Sequence, residues 1–218
     1  MEYFLELSSS GLVRGSIYAL IALGYTMVYG IIQLINFAHG EIYMIGAFVA
    51  LIVSGVLTIY GFSGVSILIL AALIAAIYAA AYGYTLEKIA YRPLRNAPRL
   101  SPLISAIGMS LFLQNYVLLA QTPDFLPFPA LIPDFDFMEP IAHIMGSPEL
   151  VILVTSAVSM VALTVLIKYT RIGKAMRATQ QDMTMARLVG VNVDNVISMT
   201  FIIGSVLAAI GGVLVGSY

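Results

Sequence analysis

The sequence predicts an all-α fold, a polytopic transmembrane helix bundle, on three observations. Hydrophobic residues make up 61% of the chain and charged residues only 10%, whereas a soluble domain carries about a quarter charged residues. So few charges cannot cover a surface in water, but lipid needs no such cover. Apolar runs long enough to cross a bilayer recur six times. Nine of the ten Lys and Arg residues fall in two segments, 87–99 and 168–195. The same composition excludes other classes. A net charge of -1 gives nucleic-acid binding no electrostatic support. With no cysteine there are no disulfides, thiol nucleophiles or thiolate metal sites.

The opening MEYFLELSSSG has no basic n-region and carries Glu2 and Glu6, so it does not read as a signal peptide, and the first span is expected to direct insertion. The spans are predicted at 12–36, 42–60, 65–85, 103–120, 151–167 and 196–215, each close to the roughly 20 residues a bilayer requires. The first two are separated only by Asn36-Phe37-Ala38-His39-Gly40-Glu41. Between the third and fourth lies the basic segment with Lys88, Arg92, Arg95 and Arg99, broken by Pro93 and Pro98. These cations read as topology determinants and lipid-headgroup contacts. A polar loop, 122–149, holds Asp124, Asp134, Asp136, Glu139 and Glu149 and no Lys or Arg.

The positive-inside rule places both basic segments in the cytoplasm. They lie two spans apart, so the spans alternate consistently. Counting back puts the N-terminus outside and 36–41 toward the cytoplasmic face. Small residues recur every four positions in three spans: Gly204, Ala208, Gly212 and Gly216 in the sixth, Ala71, Ala75, Ala79 and Gly83 in the third, and Ala22, Thr26 and Gly30 in the first. Such stripes let backbones approach closely, so they are expected to mark where helices meet.

Two polar groups stand out at membrane depth. Asn36, His39, Gly40 and Glu41 admit two readings: an interrupted helix that lines or gates a pathway, or a tight turn in which Asn36 ends one helix and His39 and Glu41 sit at the interface. A metal site is not expected there. His39-x-Glu41 offers two ligands, and the other histidine, His143, belongs to the opposite side. In the fourth span Gln114, Asn115 and Tyr116 are expected to hydrogen-bond across the bundle, with lining a pathway as the alternative. There is no phosphate loop of the G-x-x-x-x-G-K-[ST] type and no nucleophile paired with a base, so no catalytic residue, metal or cofactor is predicted.

The segment 168–195 reads as a short helix held between two spans. Met176, Thr179, Met183 and Ala186 repeat at helical spacing as one weakly apolar face. Lys174, Arg177, Gln180, Asp182 and Arg187 supply polar positions. Gly190 is a C-terminal stop and Asp194 an N-cap of the sixth span. A helix lying on headgroups would also carry basic residues and Met. The face lacks Leu, Phe and Trp until Leu188, which favours a groove on a protein.

Three stretches, GSIYALIALGYTMVYGIIQLINFAHGEIYMIGAF, AYRPLR with LISAIGMSLFLQNY, and RIGKAMRATQQDMTMARLVGVNVDNVISMTFIIGSVLAAIGGVL, make the chain resemble LivH-type permeases. These are subunits of bacterial ATP-driven branched-chain amino acid importers. The resemblance runs over nearly the whole chain and is weakest in 123–149. It implies a permease of the inner membrane with four kinds of partner: membrane lipid, a second LivM-type permease, two cytoplasmic ATPase subunits, and a periplasmic binding protein that delivers Leu, Ile or Val near 122–149. It makes 174–190 the coupling helix that seats on the ATPase. It also implies further spans after the sixth, so that 1–218 is a single permease domain truncated relative to the family. Urea or amide permeases of the same superfamily, with a related N-x-A-H-G-E stretch, are the alternative for substrate. A proton-coupled carrier relaying through Glu41 and His39 is the alternative for energy source, and it predicts that Glu41→Gln abolishes transport even when ATP is present.

Overall fold

The computed structural model describes residues 2–62, 64–95, 97–98, 100–122, 126–129, 132 and 145–218. Arg99, Asp124, Asp134, Asp136, Glu139 and His143, named above, lie outside the described residues. The described chain forms eight α-helices: α1 (Glu2–Ile32), α2 (His39–Ile59), α3 (Val65–Leu86), α4 (Leu100–Ala120), α5 (Ser147–Tyr169), α6 (Arg171–Gln181), α7 (Met183–Leu188) and α8 (Val193–Gly216). Six of them, all but α6 and α7, are long and apolar enough to cross a membrane. α1 starts ten residues before the predicted first span. α3 runs on through a π-helical turn (Glu87–Tyr91) and a 3-10 turn (Arg92–Leu94) whose Pro93 lacks the N–H that a helix start leaves unpaired anyway.

α8 is the axis of the bundle, with α1, α2 and α3 packed around it. Its small-residue stripe does what the spacing predicts. Gly204 meets Gly24 of α1, where an added Cβ would lie 3.1 Å from the Gly24 carbonyl oxygen. Gly212 meets α2, with Tyr43 O at 2.5 Å from the same imagined atom. Gly216 packs on Phe128, and Ala208 is fully buried. The α3 stripe also faces inward: Ala71, Ala75 and Ala79 are buried, and Gly83 abuts Ser205 of α8. Lipid tails are as apolar as Leu, so the gain on this seam is dispersion between closely approaching backbones.

The α1 stripe is misplaced by the spacing rule. Ala22 and Thr26 face outward, and Gly30 lies beside Gln180 of α6. The inward face of α1 is Val13, Ile17, Leu20, Gly24, Val28 and Ile31. Larger side chains seal that contact against α5 and α8, as Leu20 and Ile17 do with Ile152, Leu163 and Leu207.

Candidate functional site

Three predicted polar features converge on one end of the bundle, the basic end: the 33–38 linker, the turn after α3, and the α6–α7 segment. α1 closes with Gln33 in the left-handed region (φ 53), its N–H on Tyr29 O at 2.8 Å. The chain then folds back inward. Asn36, Ala38 and His39 are buried, and the His39 ring packs against Gly24 of α1, beside the point where Gly24 meets Gly204 of α8. Gly24 precedes the end of α1 by eight residues, so the ring sits about 12 Å inside that end. The predicted interruption therefore joins two separate helices, the first of which ends at Ile32 rather than Asn36, and both Asn36 and His39 are buried. It is a re-entrant linker, and α2 begins at its inner end.

Asn36 is held by the linker itself. Its Oδ1 accepts from Ala38 N–H at 3.2 Å and from the Tyr91 hydroxyl at 3.1 Å. Gly40 is exposed and uncrowded in the first turn of α2. Glu41 accepts from Ser110 Oγ of α4 at 2.9 Å. His39 and Glu41 are two residues apart on a helix and so point about 200° apart, the one toward α1 and α8, the other toward α4. The structure does not bring them together as a proton relay. Gln114, Asn115 and Tyr116 do not bond across the bundle as a group either. Gln114 and Asn115 are exposed, and Asn115 Nδ2 donates to Leu111 O of its own helix at 2.7 Å. Tyr116 shares the lining of one cleft with Tyr82 of α3.

The basic segment after α3 is more than a topology signal. The Arg95 guanidinium donates to both Glu87 and Asp194, and Arg92 lies 3.3 Å from Asp194. The second Glu87 oxygen accepts from Ser198 Oγ of α8 at 2.7 Å. Glu87 is 0% exposed. Asp194 is thus an ion-pair partner rather than the N-cap of α8. That role belongs to Asn192, whose side chain accepts from Asn195 N–H at 3.1 Å. Glu87 escaped sequence reasoning because it reads as the first residue of a basic loop. The available signal was a lone carboxylate at the end of an apolar run, where a charge must find a partner.

The segment 168–195 folds as two helices, not one. Asp182 breaks the pattern, ending α6 and capping α7 by accepting from Thr184 N–H at 2.7 Å and Met185 N–H at 3.0 Å. The weak apolar face turns inward, correcting its assignment as a docking face. Met176, Thr179 and Ala186 are buried and Met183 is half-buried, with Met176, Met183 and Ala186 in the main core. A second apolar set is on view instead: Met185, Leu188 and Val189, 61%, 76% and 77% exposed. Arg171, Lys174 and Arg187 are exposed on the same two helices and the turn. Gln180 and Asp182 are exposed as well. Arg177 instead reaches back to the carbonyls of Ile167 and Lys168, capping α5. Gly190 takes φ +86 as the predicted stop. The amphipathic spacing identified a real face, but periodicity does not say whether the chain's own bundle or a foreign surface covers it.

Six helices long and apolar enough to cross a membrane, with a two-helix arm at the basic end, make this a multi-pass membrane protein. The branched-chain amino acid transport system / permease component family matches residues 7–218, and the chain belongs to it. It is 46% identical over 220 residues to the high-affinity branched-chain amino acid transport system permease protein LivH of Escherichia coli (strain K12), covering 99% of this chain and 71% of that protein. It is 47% identical over 218 residues to BraD, the corresponding permease protein of Pseudomonas aeruginosa, covering 98% of this chain and 71% of that one. No solved structure matches it.

Proposed function

We propose that the chain is a permease subunit that moves branched-chain amino acids into the cytoplasm, driven by separate ATPase subunits that dock on α6–α7. The basic end then lies in the cytoplasm and the N-terminus in the periplasm. A second, LivM-type permease completes the pathway, and a periplasmic binding protein delivers Leu, Ile or Val at the opposite end. Affinity resides in that binding protein, and the apolar side chain of the substrate suits surfaces of Ile, Leu, Met and Ala between the two permeases. Movement of the ATPases displaces α6–α7, rocks the bundle and alternates access.

The observation that carries the ATP-driven reading is the second apolar set. Met185, Leu188 and Val189 project from an arm whose other face is already seated on the bundle. Arg187 stands among them, and Arg171 and Lys174 are exposed on the same arm, which suits an apolar groove with an acidic rim on the partner. Replacing all three by Asp tests this. The expected outcome is a chain that still inserts and folds, loses co-purifying ATPase, and loses uptake by at least about tenfold. ATPase recovery and uptake equal to the unaltered protein would sink the docking assignment.

A further inference from the structure

We propose that Glu87, Arg95 and Asp194 form a positioning clasp that passes displacement of the α6–α7 arm to α2 and α4. The inference rests on the reading above, that an ATPase moves this arm. Only residues 189–192 separate α7 from α8, so the first turn of α8, which carries Asp194, follows α7. Arg95 binds that carboxylate with one nitrogen and the buried Glu87 with another. Glu87 is tied to α8 again one turn deeper, through Ser198.

The far side of the clasp grips three elements. Glu87 opens the π-helical turn, which packs one extra residue per turn and often marks functional positions. That turn presents Tyr91 to the re-entrant linker, its hydroxyl 3.1 Å from Asn36 Oδ1 and 3.3 Å from Ile35 O. The Tyr91 ring packs on Phe201 of α8, with centroids 5.0 Å apart. The Ala90 carbonyl accepts from Ser105 Oγ of α4 at 3.1 Å. The linker leads into α2, and Glu41 of α2 binds Ser110 of α4. A shift at Asp194 is therefore felt by α3, α4 and the start of α2 through contiguous bonds.

Stability alone does not account for a charged group here. A buried ion pair holds a fold no better than apolar residues of the same volume, but it does fix one arrangement. A device that must hold a defined relation between moving parts uses that property.

The test is uptake per ATP hydrolysed, measured in proteoliposomes with the ATPases, the second permease and the loaded binding protein. Asp194→Asn keeps the shape and leaves the Glu87–Arg95 pair intact. It is expected to leave complex recovery and ATP hydrolysis within about twofold and to lower uptake per ATP by about fivefold or more. Asp194→Glu is expected to restore the ratio. The double variant Glu87→Gln/Arg95→Met is expected to lower it as Asp194→Asn does, without further loss when the two are combined. An unchanged ratio in both variants overturns the clasp, as does a loss of uptake that merely follows loss of assembled complex. If the unaltered complex hydrolyses ATP without uptake, or binds no ATPase, the functional reading fails and takes the clasp with it.

Discussion

The centre of this bundle and its rim are built on different terms. In the most apolar 18-residue stretch of α8 72% of the residues are buried, against 17% in the like stretches of α4 and α5. The dense centre is made where Gly and Ala let main chains touch: Gly24 on Gly204, Gly46 on Ala209, Gly212 on Tyr43. The thin rim presents Ile104, Leu111, Phe112, Leu119, Val154, Val158 and Val161 outward. In water those side chains would be driven inside. In lipid nothing drives them, so close fit rather than apolarity decides which helices hold together. Between α2, α3 and α4 a cleft of about 270 Å³ stays open, lined by residues such as Phe48, Ile52, Tyr82 and Tyr116. Large side chains leave such space where small ones would close it.

One substitution made in both regions sets the comparison most sharply. Gly212→Ala places a methyl 2.5 Å from Tyr43 O, and overpacking of this kind costs about 1–3 kcal/mol. A lower melting temperature in detergent, with a smaller monodisperse fraction on size exclusion, is the expected readout. Tolerance equal to the unaltered chain would show that α2 and α8 are not locked. Next in size, Tyr91→Phe removes the hydroxyl that joins the dense centre to the re-entrant linker and is expected to cost about 1 kcal/mol, read by the same melt. Gly108→Ala reverses the sign. Gly108 is exposed on α4 with nothing within 4 Å of an added Cβ, so helix propensity alone acts, and a gain of about 0.5–1 kcal/mol is expected. A loss at Gly108 would mean that the outward face of α4 is occupied.

The difference between centre and rim also explains what could be read from the sequence. Span number and order follow from length and hydropathy, which the bilayer fixes, and all six were legible. The stripes of α3 and α8 were legible because their small residues meet the main chain or small side chains of a neighbouring helix at close range. The equally regular Ala22, Thr26 and Gly30 were not, because spacing names a smooth face without naming a neighbour. The same gap misled the reading of Met176, Thr179 and Ala186, whose pattern is satisfied by the chain's own core. Asp182 and Glu87 were harder. One ends a helix by capping the next, the other neutralises an arginine eight positions on, and neither effect has a period. The inward course of 33–38 depends on His39 finding space against Gly24, fifteen residues earlier in the chain, where no side chain stands in the way.

The corner between α5 and α6 shows how such a join is recorded. Thr170 caps α6 by accepting from Gly173 N–H at 3.0 Å, Gly173 lies so close to the Leu166 and Ile167 carbonyls that no side chain fits, and Arg177 binds the last carbonyls of α5. The acceptors for Arg177 are main chain, and any residue supplies a carbonyl. The side chains at 166–168 play no part in that bond, although Leu166 and Ile167 also pack against the core. The angle of the arm is written in only three letters, at 170, 173 and 177. The outward surface of α6 and α7 shares none of these three roles, so its residues can change while the arm is held out at the same pitch.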